Sequence, residues 1–284
     1  MMKSVVVTGA STGIGWGTVN VLTQKGFHVF GSVRRAEDAD RLVAEFGDAV
    51  TPLQFDVTDA PAIAQAAKQV REHLNGDTLF GLVNNAGIAV AGPLMHLPVD
   101  QYRFQMEVNL ISPLVVTQAF LPLLGTDRTL NGAPGRIINI SSVGGKIGSP
   151  FLGAYSASKH GLEGMSESLR RELMLYGIDV IIVGPGPIAT PIWDKAAKLD
   201  LSIYDQTDYA TATKRLSDYA INRGRQGYPP ERVGEVVWKA LTVAKPRTRY
   251  AIVPQPLMNW ILPSLLPKRW VDKIVADRFD LNRH

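Results

Sequence analysis

Short β-branched runs near residues 4–8, 28–33, 50–55, 79–84, 135–140, 178–183 and 249–253 alternate with amphipathic helical patterns through most of this chain. Strands separated each time by the length of a helix cannot pair as hairpins, so this spacing predicts a parallel sheet covered by helices on both faces. No polar linker interrupts the alternation across 284 residues, which predicts a single α/β domain, 1–284, of the doubly wound kind. Ligands of such sheets bind beyond the strands' carboxyl ends, where the strand order reverses. Two stretches depart from the pattern. About 187–229 is rich in Pro, Asp and Tyr, lacks a clear strand and reads as a mobile lid, and about 256–284 reads as a C-terminal helical extension.

Several function classes are disfavoured at once. Thirty basic against twenty-six acidic residues give a net charge of +4, scattered rather than gathered into the stripe that a phosphate-backbone binder needs, so no nucleic-acid partner is expected. The chain has no Cys, which excludes disulfides and thiolate chemistry and fits a reducing, cytoplasmic compartment. Its five His show no ligand spacing, so no metal site is read. The first residues run straight into Val5-Val6-Val7, leaving no room for a signal peptide. No apolar run approaches the ~20 residues of a spanning helix. Leu257 to Leu266, broken by Pro263 and followed by Lys268 and Arg269, could lie weakly on a membrane surface, cover a cavity or meet another subunit.

The first strand ends in Thr8-Gly9-Ala10-Ser11-Thr12-Gly13-Ile14-Gly15 and opens a helix. Gly9, Gly13 and Gly15, with Ser11, Thr12 and Ile14 between them, let backbone N–H groups and a helix dipole face a pyrophosphate. The second strand ends in Gly31-Ser32-Val33-Arg34-Arg35, with no carboxylate to accept from ribose hydroxyls. The planar forks of Arg34 and Arg35 suit a 2′-phosphate, so NADP is expected, with NAD as the alternative. Asp56, at the end of the third strand, can accept from an adenine amino group. Asn84-Asn85-Ala86-Gly87 after the fourth offers small residues for close backbone approach and Asn side chains that tie neighbouring strands.

Tyr155 and Lys159 stand four residues apart in a helical pattern, so both side chains share one face. An ammonium beside a phenol, helped by an oxidised nicotinamide ring, lowers the phenol's pKa from about 10 toward neutrality, making Tyr155 a general acid for ketone reduction and a general base for alcohol oxidation. Ser142, after the fifth strand, can polarise the same carbonyl oxygen, with Ser141 as the neighbouring alternative. Asn109 lies in a long helical pattern where Pro113 lacks the N–H that would bond its carbonyl. That carbonyl could hold a water linking Lys159 to solvent.

Together, Thr8-Gly9-x-x-x-Gly13-x-Gly15, Asp56-Val57, Asn84-Asn85-Ala86-Gly87, Asn109, Ser142, Tyr155-x-x-x-Lys159 and Pro185-Gly186 resemble the short-chain dehydrogenase/reductase family over about residues 3–255. The resemblance implies a Rossmann fold, hydride exchange with a nicotinamide, and a catalytic tetrad of Asn109, Ser142, Tyr155 and Lys159. It also implies cofactor contacts from Asp56, Val57, Asn84, Ala86, Gly87, Pro185 and Gly186, with Ile188 and Thr190 against the carboxamide. The stretch 144–153 and the C-terminal extension resemble the hydroxysteroid and retinol dehydrogenase branch. Gly184 departs from it, since relatives there often carry Glu.

Leu94, Met95, Val143, Phe151, Leu152, Pro187, Ile192 and Trp193 are expected around the substrate and are largely apolar. A lipophilic secondary alcohol or ketone, steroid- or retinoid-like, therefore fits, with 3-oxoacyl thioesters or sugars as the alternative. A non-catalytic cofactor-sensing protein on the same fold would not need Ser142, Tyr155 and Lys159 together. Ala154, Ala157, Gly161 and Gly164 make the helix after Tyr155 small-faced, and the family commonly pairs this helix between subunits, so a homodimer or homotetramer is expected.

Overall fold

The computed structural model describes residues 3–198, 200–255 and 265–282. Seven strands, β1 (Ser4–Val7), β2 (His28–Val33), β3 (Val50–Gln54), β4 (Gly81–Asn84), β5 (Arg136–Ile140), β6 (Asp179–Pro185) and β7 (Arg249–Ile252), form one sheet in the order β3-β2-β1-β4-β5-β6-β7. Every neighbouring pair is parallel. The order reverses between β1 and β4, so the crevice of the doubly wound sheet opens where Thr8 and Asn84 end their strands.

The twofold period of a strand divides the core. Val6, Leu82, Ile137 and Val180 point to one face; Val5, Val7, Val83, Ile138, Ile181 and Val183 point to the other. The first face is covered by α3 (Ala60–Leu74), α5 (Ser112–Phe120) and α6 (Gly153–Glu172) through residues such as Ile63, Phe120 and Leu169. The second is covered by α1 (Gly13–Gln24), α2 (Ala36–Phe46) and α9 (Glu231–Thr242) through Leu22, Leu42 and Val237. Each fully buried side chain of this size contributes roughly 1.5–3 kcal/mol, so the two cores fix the sheet on which the site stands.

The helix α4 (Val99–Met106) runs through a π-turn, Glu107–Ile111, into α5. The wider turn is where Pro113 interrupts the ordinary bonding: the N–H of Ser112 reaches back to the Glu107 carbonyl, and its hydroxyl bonds the same oxygen at 2.8 Å. Helical structure continues to Leu124, and by length and composition Val99–Leu124 could cross a bilayer, beyond what the sequence reading allowed. Half of its most apolar stretch is buried against the protein, as in the core helix of a globular fold.

The segment expected as a lid without a clear strand contains α7 (Ile192–Ala196), a short turn at Ser202–Tyr204 and α8 (Ala210–Arg225). Its ends meet: Ile188 bridges Tyr228, Ala189 N donates to Tyr228 O at 2.8 Å, and Tyr228 N donates to Pro187 O at 3.1 Å. Of the C-terminal extension, α10 (Lys268–Phe279) packs on α8 through Phe279 against Tyr219. Most of the apolar stretch Leu257 to Leu266 lies outside the described residues.

Candidate active site

Thr8 organises the crevice. Its hydroxyl accepts from the backbone N–H of Asn85 at 2.9 Å and of Ala86 at 3.0 Å, joining the end of β1 to the loop after β4. The Asn85 amide returns the contact, donating to Thr8 O at 2.8 Å and Gly9 O at 3.2 Å. Gly9 and Gly13 have φ of +68° and +59°, a conformation that side chains disfavour. A Cβ at Gly9 would sit 3.0 Å from the Ala86 Cα, and one at Gly15 would collide with the Gly9 carbonyl. Gly15 thus serves the turn's own closure. Thr12, at the entrance of α1, makes no side-chain capping bond, and the first turn carries no acidic residue. These N–H groups and the helix dipole fit a phosphate.

The cations beyond β2 divide. Arg34 is exposed and lies 3.9 Å from the Asp56 carboxylate. Arg35 instead bonds Asp38 at 3.1 Å, which holds that carboxyl below its usual range. Arg41, not anticipated from the sequence, pairs with the same Asp38 at 3.0 Å and donates to Ser11 O at 2.7 Å. It therefore stands beside the glycine turn. Asp56 also accepts from the hydroxyl and N–H of Thr58 at 2.8 and 2.9 Å. Val57 is buried in the core.

Asn84 ties neighbouring strands, as its residue type suggested. Its side-chain amide donates to Thr117 at 3.0 Å and Asn139 at 2.9 Å inside the protein, tying β4 to β5 and α5. Adjacent strand residues point to opposite faces, so of the pair it is Asn85 that meets the glycine turn. Gly87 packs beside the Asn109 amide. Across the crevice, Thr190 stands over Gly13, and Gly186 donates to Ile252 O at 2.8 Å after Pro185 ends β6. Ile188 is buried, its carbonyl accepting from the Trp193 indole at 2.7 Å.

The helix α6 starts just before Tyr155 and presents Tyr155 and Lys159 one turn apart, with the Lys159 Nζ 5.9 Å from the phenol ring centroid. Lys159 is 5 % exposed and donates to Ile140 O at 2.8 Å; burial pulls its pKa down to about 8 against the opposing pull of Glu163. In the protein alone, burial raises the Tyr155 phenol's pKa, and the facing Ser142 hydroxyl opposes this without overcoming it, so the expected lowering depends on the charge of a bound oxidised nicotinamide. The Ser142 Oγ accepts from Gly144 N at 3.0 Å, which leaves its own hydrogen free to point elsewhere. Ser141 is committed to Glu163 at 2.9 Å, so of the two serines Ser142 is the one facing the phenol.

Fully buried Asn109 joins two elements. Its amide accepts from Ile88 N at 2.9 Å and donates to Ile88 O at 3.0 Å and to the Ser158 hydroxyl at 3.2 Å, which donates in turn to Tyr155 O at 2.7 Å. The side chain of Asn109 is therefore coupled to α6 through Ser158, and Lys159 makes its own bond to β5.

A cavity of about 270 Å³ lies beside the start of α6, lined by Leu94, Met95, Pro150, Phe151, Tyr209 and Leu281 among others. Leu94, Met95 and Phe151 were expected there; Tyr209 and Leu281 were not. Trp193 is turned toward Ile188 O and packs where a side chain on Gly224 would stand. Phe151 has a left-handed backbone, φ +58°, and meets Tyr209 edge to face at 5.7 Å. The vacancy at Gly184 also has a reason, since a Cβ there would lie 2.5 Å from the guanidinium of Arg249.

Residues 3–200 match the family described as short chain dehydrogenase. The chain belongs to that family. It is 40 % identical over 273 residues, 96 % of each chain, to NADPH-dependent 3-dehydrocapnine reductase of Ornithobacterium rhinotracheale. It is 32 % identical to retinol dehydrogenase 16 of Mus musculus, covering 96 % of this chain and 87 % of that one. Among solved structures, a variant of actinorhodin polyketide ketoreductase with NADPH superposes with a TM-score of 0.73 at 30 % identity, over 91 % of this chain and 98 % of that one.

Proposed function

We propose that this short-chain dehydrogenase is an NADP-dependent oxidoreductase that interconverts a lipophilic ketone and its secondary alcohol, Tyr155 being the proton carrier. The observation that carries the reading is that the Ser142 hydroxyl faces the Tyr155 phenol, with the buried Lys159 ammonium one helical turn behind it. A bound reduced nicotinamide would supply the hydride. The Ser142 hydroxyl then donates to the carbonyl oxygen, and Tyr155 gives its proton to that oxygen as negative charge grows there. Lys159 stabilises the phenolate left behind. Asn109 keeps α6 in register with the loop after β4, and a water on its carbonyl would complete the proton's return path.

Gly9, Ser11, Thr12, Gly13, Ile14 and Gly15 would hold the pyrophosphate, Ala86 and Gly87 the ribose beside it, and Ile188 and Thr190 the carboxamide. Arg34 and Arg35 would neutralise the 2′-phosphate, with Arg41 as a further cation near the glycine turn, and the NADPH named for two relatives supports that choice. The apolar lining of the cavity and the likeness to a retinol dehydrogenase support a lipophilic substrate. The reading includes a cytoplasmic homo-oligomer, although Gly161 itself packs on Leu110 of the same chain. The exposed Trp270 and Ile274 beside Lys273 support a weak contact of α10 with a lipid surface.

The test follows nicotinamide absorbance with NADPH and NADH against long-chain ketones, steroids, retinoids, acyl thioesters and sugars. Turnover of a lipophilic ketone with NADPH is expected. Tyr155→Phe should lose about 10³-fold in kcat while binding NADPH as before; wild-type turnover of none of these, or full activity of the variant, sinks the assignment.

A further inference from the structure

Beneath the serine turn lies a charged cluster that the proposed reaction does not use. Glu163, one helical turn beyond Lys159 on α6, is 2 % exposed, yet its carboxylate is fully engaged. Arg249, at the start of β7, grips it with Nε at 3.1 Å from both oxygens and Nη2 at 2.9 Å from Oε1. The Ser141 hydroxyl donates to the same Oε1 at 2.9 Å, and Lys146 Nζ lies 3.1 Å from Oε2. The Arg249 Nη2 also reaches the Ser142 carbonyl at 3.3 Å. One ion pair therefore holds both serines of the turn, one through its hydroxyl and the other through its carbonyl.

Two glycines make the space. A Cβ at Gly184 on β6 would stand 2.5 Å from the Arg249 Nη2, and one at Gly145 would stand 2.6 Å from the Ser141 Oγ and 2.9 Å from the Glu163 Oε1. A buried pair of this kind returns its desolvation cost only when every lone pair and proton is satisfied, and this one is satisfied by groups of the serine turn itself.

Resting on the roles given above to Ser142, Tyr155 and Lys159, we infer that Glu163 and Arg249 are positioning residues: they clamp the turn that presents the Ser142 hydroxyl, and Glu163 is the counter-charge that keeps the buried Lys159 an ammonium. The charged and titratable groups facing this region are Tyr155, Lys159 and Glu163 from α6, Lys146 from the turn after β5, and Arg249 from β7. Lys159 is bonded to the Ile140 carbonyl, which cannot neutralise it, while Glu163 opposes the loss of its proton. Arg249 and Lys146 in turn temper the carboxylate. Removing Glu163 and removing Arg249 should therefore move Lys159 in opposite directions, a signature that mere loss of packing does not give.

The experiment titrates the Lys159 side-chain nitrogen by NMR in full-length, isotope-labelled protein, assigned with Lys159→Arg, and measures kcat/KM for NADPH-driven ketone reduction over the same pH range. In the wild type the Lys159 midpoint should lie at about 8. Glu163→Gln should lower it by about one pH unit and bring the basic limb of the activity profile down with it. Arg249→Met should raise both, and should lower kcat several-fold while leaving NADPH binding, followed by its fluorescence, within about twofold. Should either variant fail to fold, Gly184→Ala, which keeps every charge but pushes the guanidinium aside, is expected to move the midpoint upward by a smaller amount. Midpoints that coincide across the variants, or that shift in the same direction for Glu163→Gln and Arg249→Met, overturn the inference. Shifted midpoints in a protein that reduces no ketone leave the charge coupling standing and remove the proposed reaction instead.

Discussion

Around the glycine turn, position is set by short bonds among backbone groups and a few hydroxyls. Thr8, Asn85, Ala86, Ser32 and Gly9 lie within 3.2 Å of one another's polar atoms across three strands. Between Ile192 and Arg225, position is set by isolated anchors: Tyr204 buried where Gly92 leaves room, Trp193 on the Ile188 carbonyl, and Tyr209 edge-on to Phe151 and to His96 at 5.8 Å. Exposed Leu94, Met95, Ile192 and Ile203 surround the second region. A nucleotide presents the same phosphates on every turnover, so a shelf of directional bonds suits it. Apolar contacts are non-directional and accommodate substrates of more than one shape.

That contrast can be broken most severely at the shelf. Gly15→Ala forces a methyl against the Gly9 carbonyl, and should weaken NADPH binding about a hundredfold and cost roughly 1–3 kcal/mol of stability; fluorescence titration and thermal melting would read the two losses. Arg34→Ala should change the ratio of NADPH to NADH specificity constants about tenfold with ketone KM unmoved, and an unchanged ratio would shift the assignment to Arg41. On the other side, Tyr209→Ala should raise KM for an apolar ketone only several-fold and leave NADPH KM alone, because the cavity loses one non-directional wall. An effect on kcat as large as that of Tyr155→Phe would show the cover to be as exacting as the shelf.

The smallest effect concerns pH and lies far from the site. His28 on β2 is buried and stacks on His73 at 4.7 Å; burial first, and the neighbouring imidazole second, hold its pKa below 6.5. As pH falls through 6.5 the unfolded chain takes up a proton that the folded chain refuses, so stability declines on the acid side and is regained above. His28→Gln should reduce the fall in Tm between pH 7 and pH 5, and an equal fall in both proteins would assign it to other groups.

The sequence made the sheet legible because its strands are fully buried β-branched runs, and the strands fall where the periodicity put them, displaced by no more than two residues at any end. The glycine turn and the Tyr155-Lys159 pair were legible because their spacing is local. What escaped is either a matter of facing or of distance along the chain. A run of two asparagines does not say which of Asn84 and Asn85 turns inward. Arg41 meets Ser11 thirty residues away, and Arg249 meets Glu163 across eighty-six. The burial that raises the phenol's pKa in the protein alone was likewise invisible from the sequence. The helices between Ile192 and Arg225 were missed because Pro, Asp and Tyr read as loop chemistry, while their packing depends on Gly92 and Phe151, far upstream.

The bridge between Ile188 and Tyr228 gives that region a neck. After β6 the chain passes through Pro187, Ile188 and Ala189, two of which hydrogen-bond Tyr228, where it returns before entering α9. Changes between Ile192 and Arg225 should therefore alter the lining of the cavity that includes Tyr209 while leaving the glycine turn's own bonds untouched, so the repertoire of compounds handled by such a chain can diversify as an interchangeable cassette.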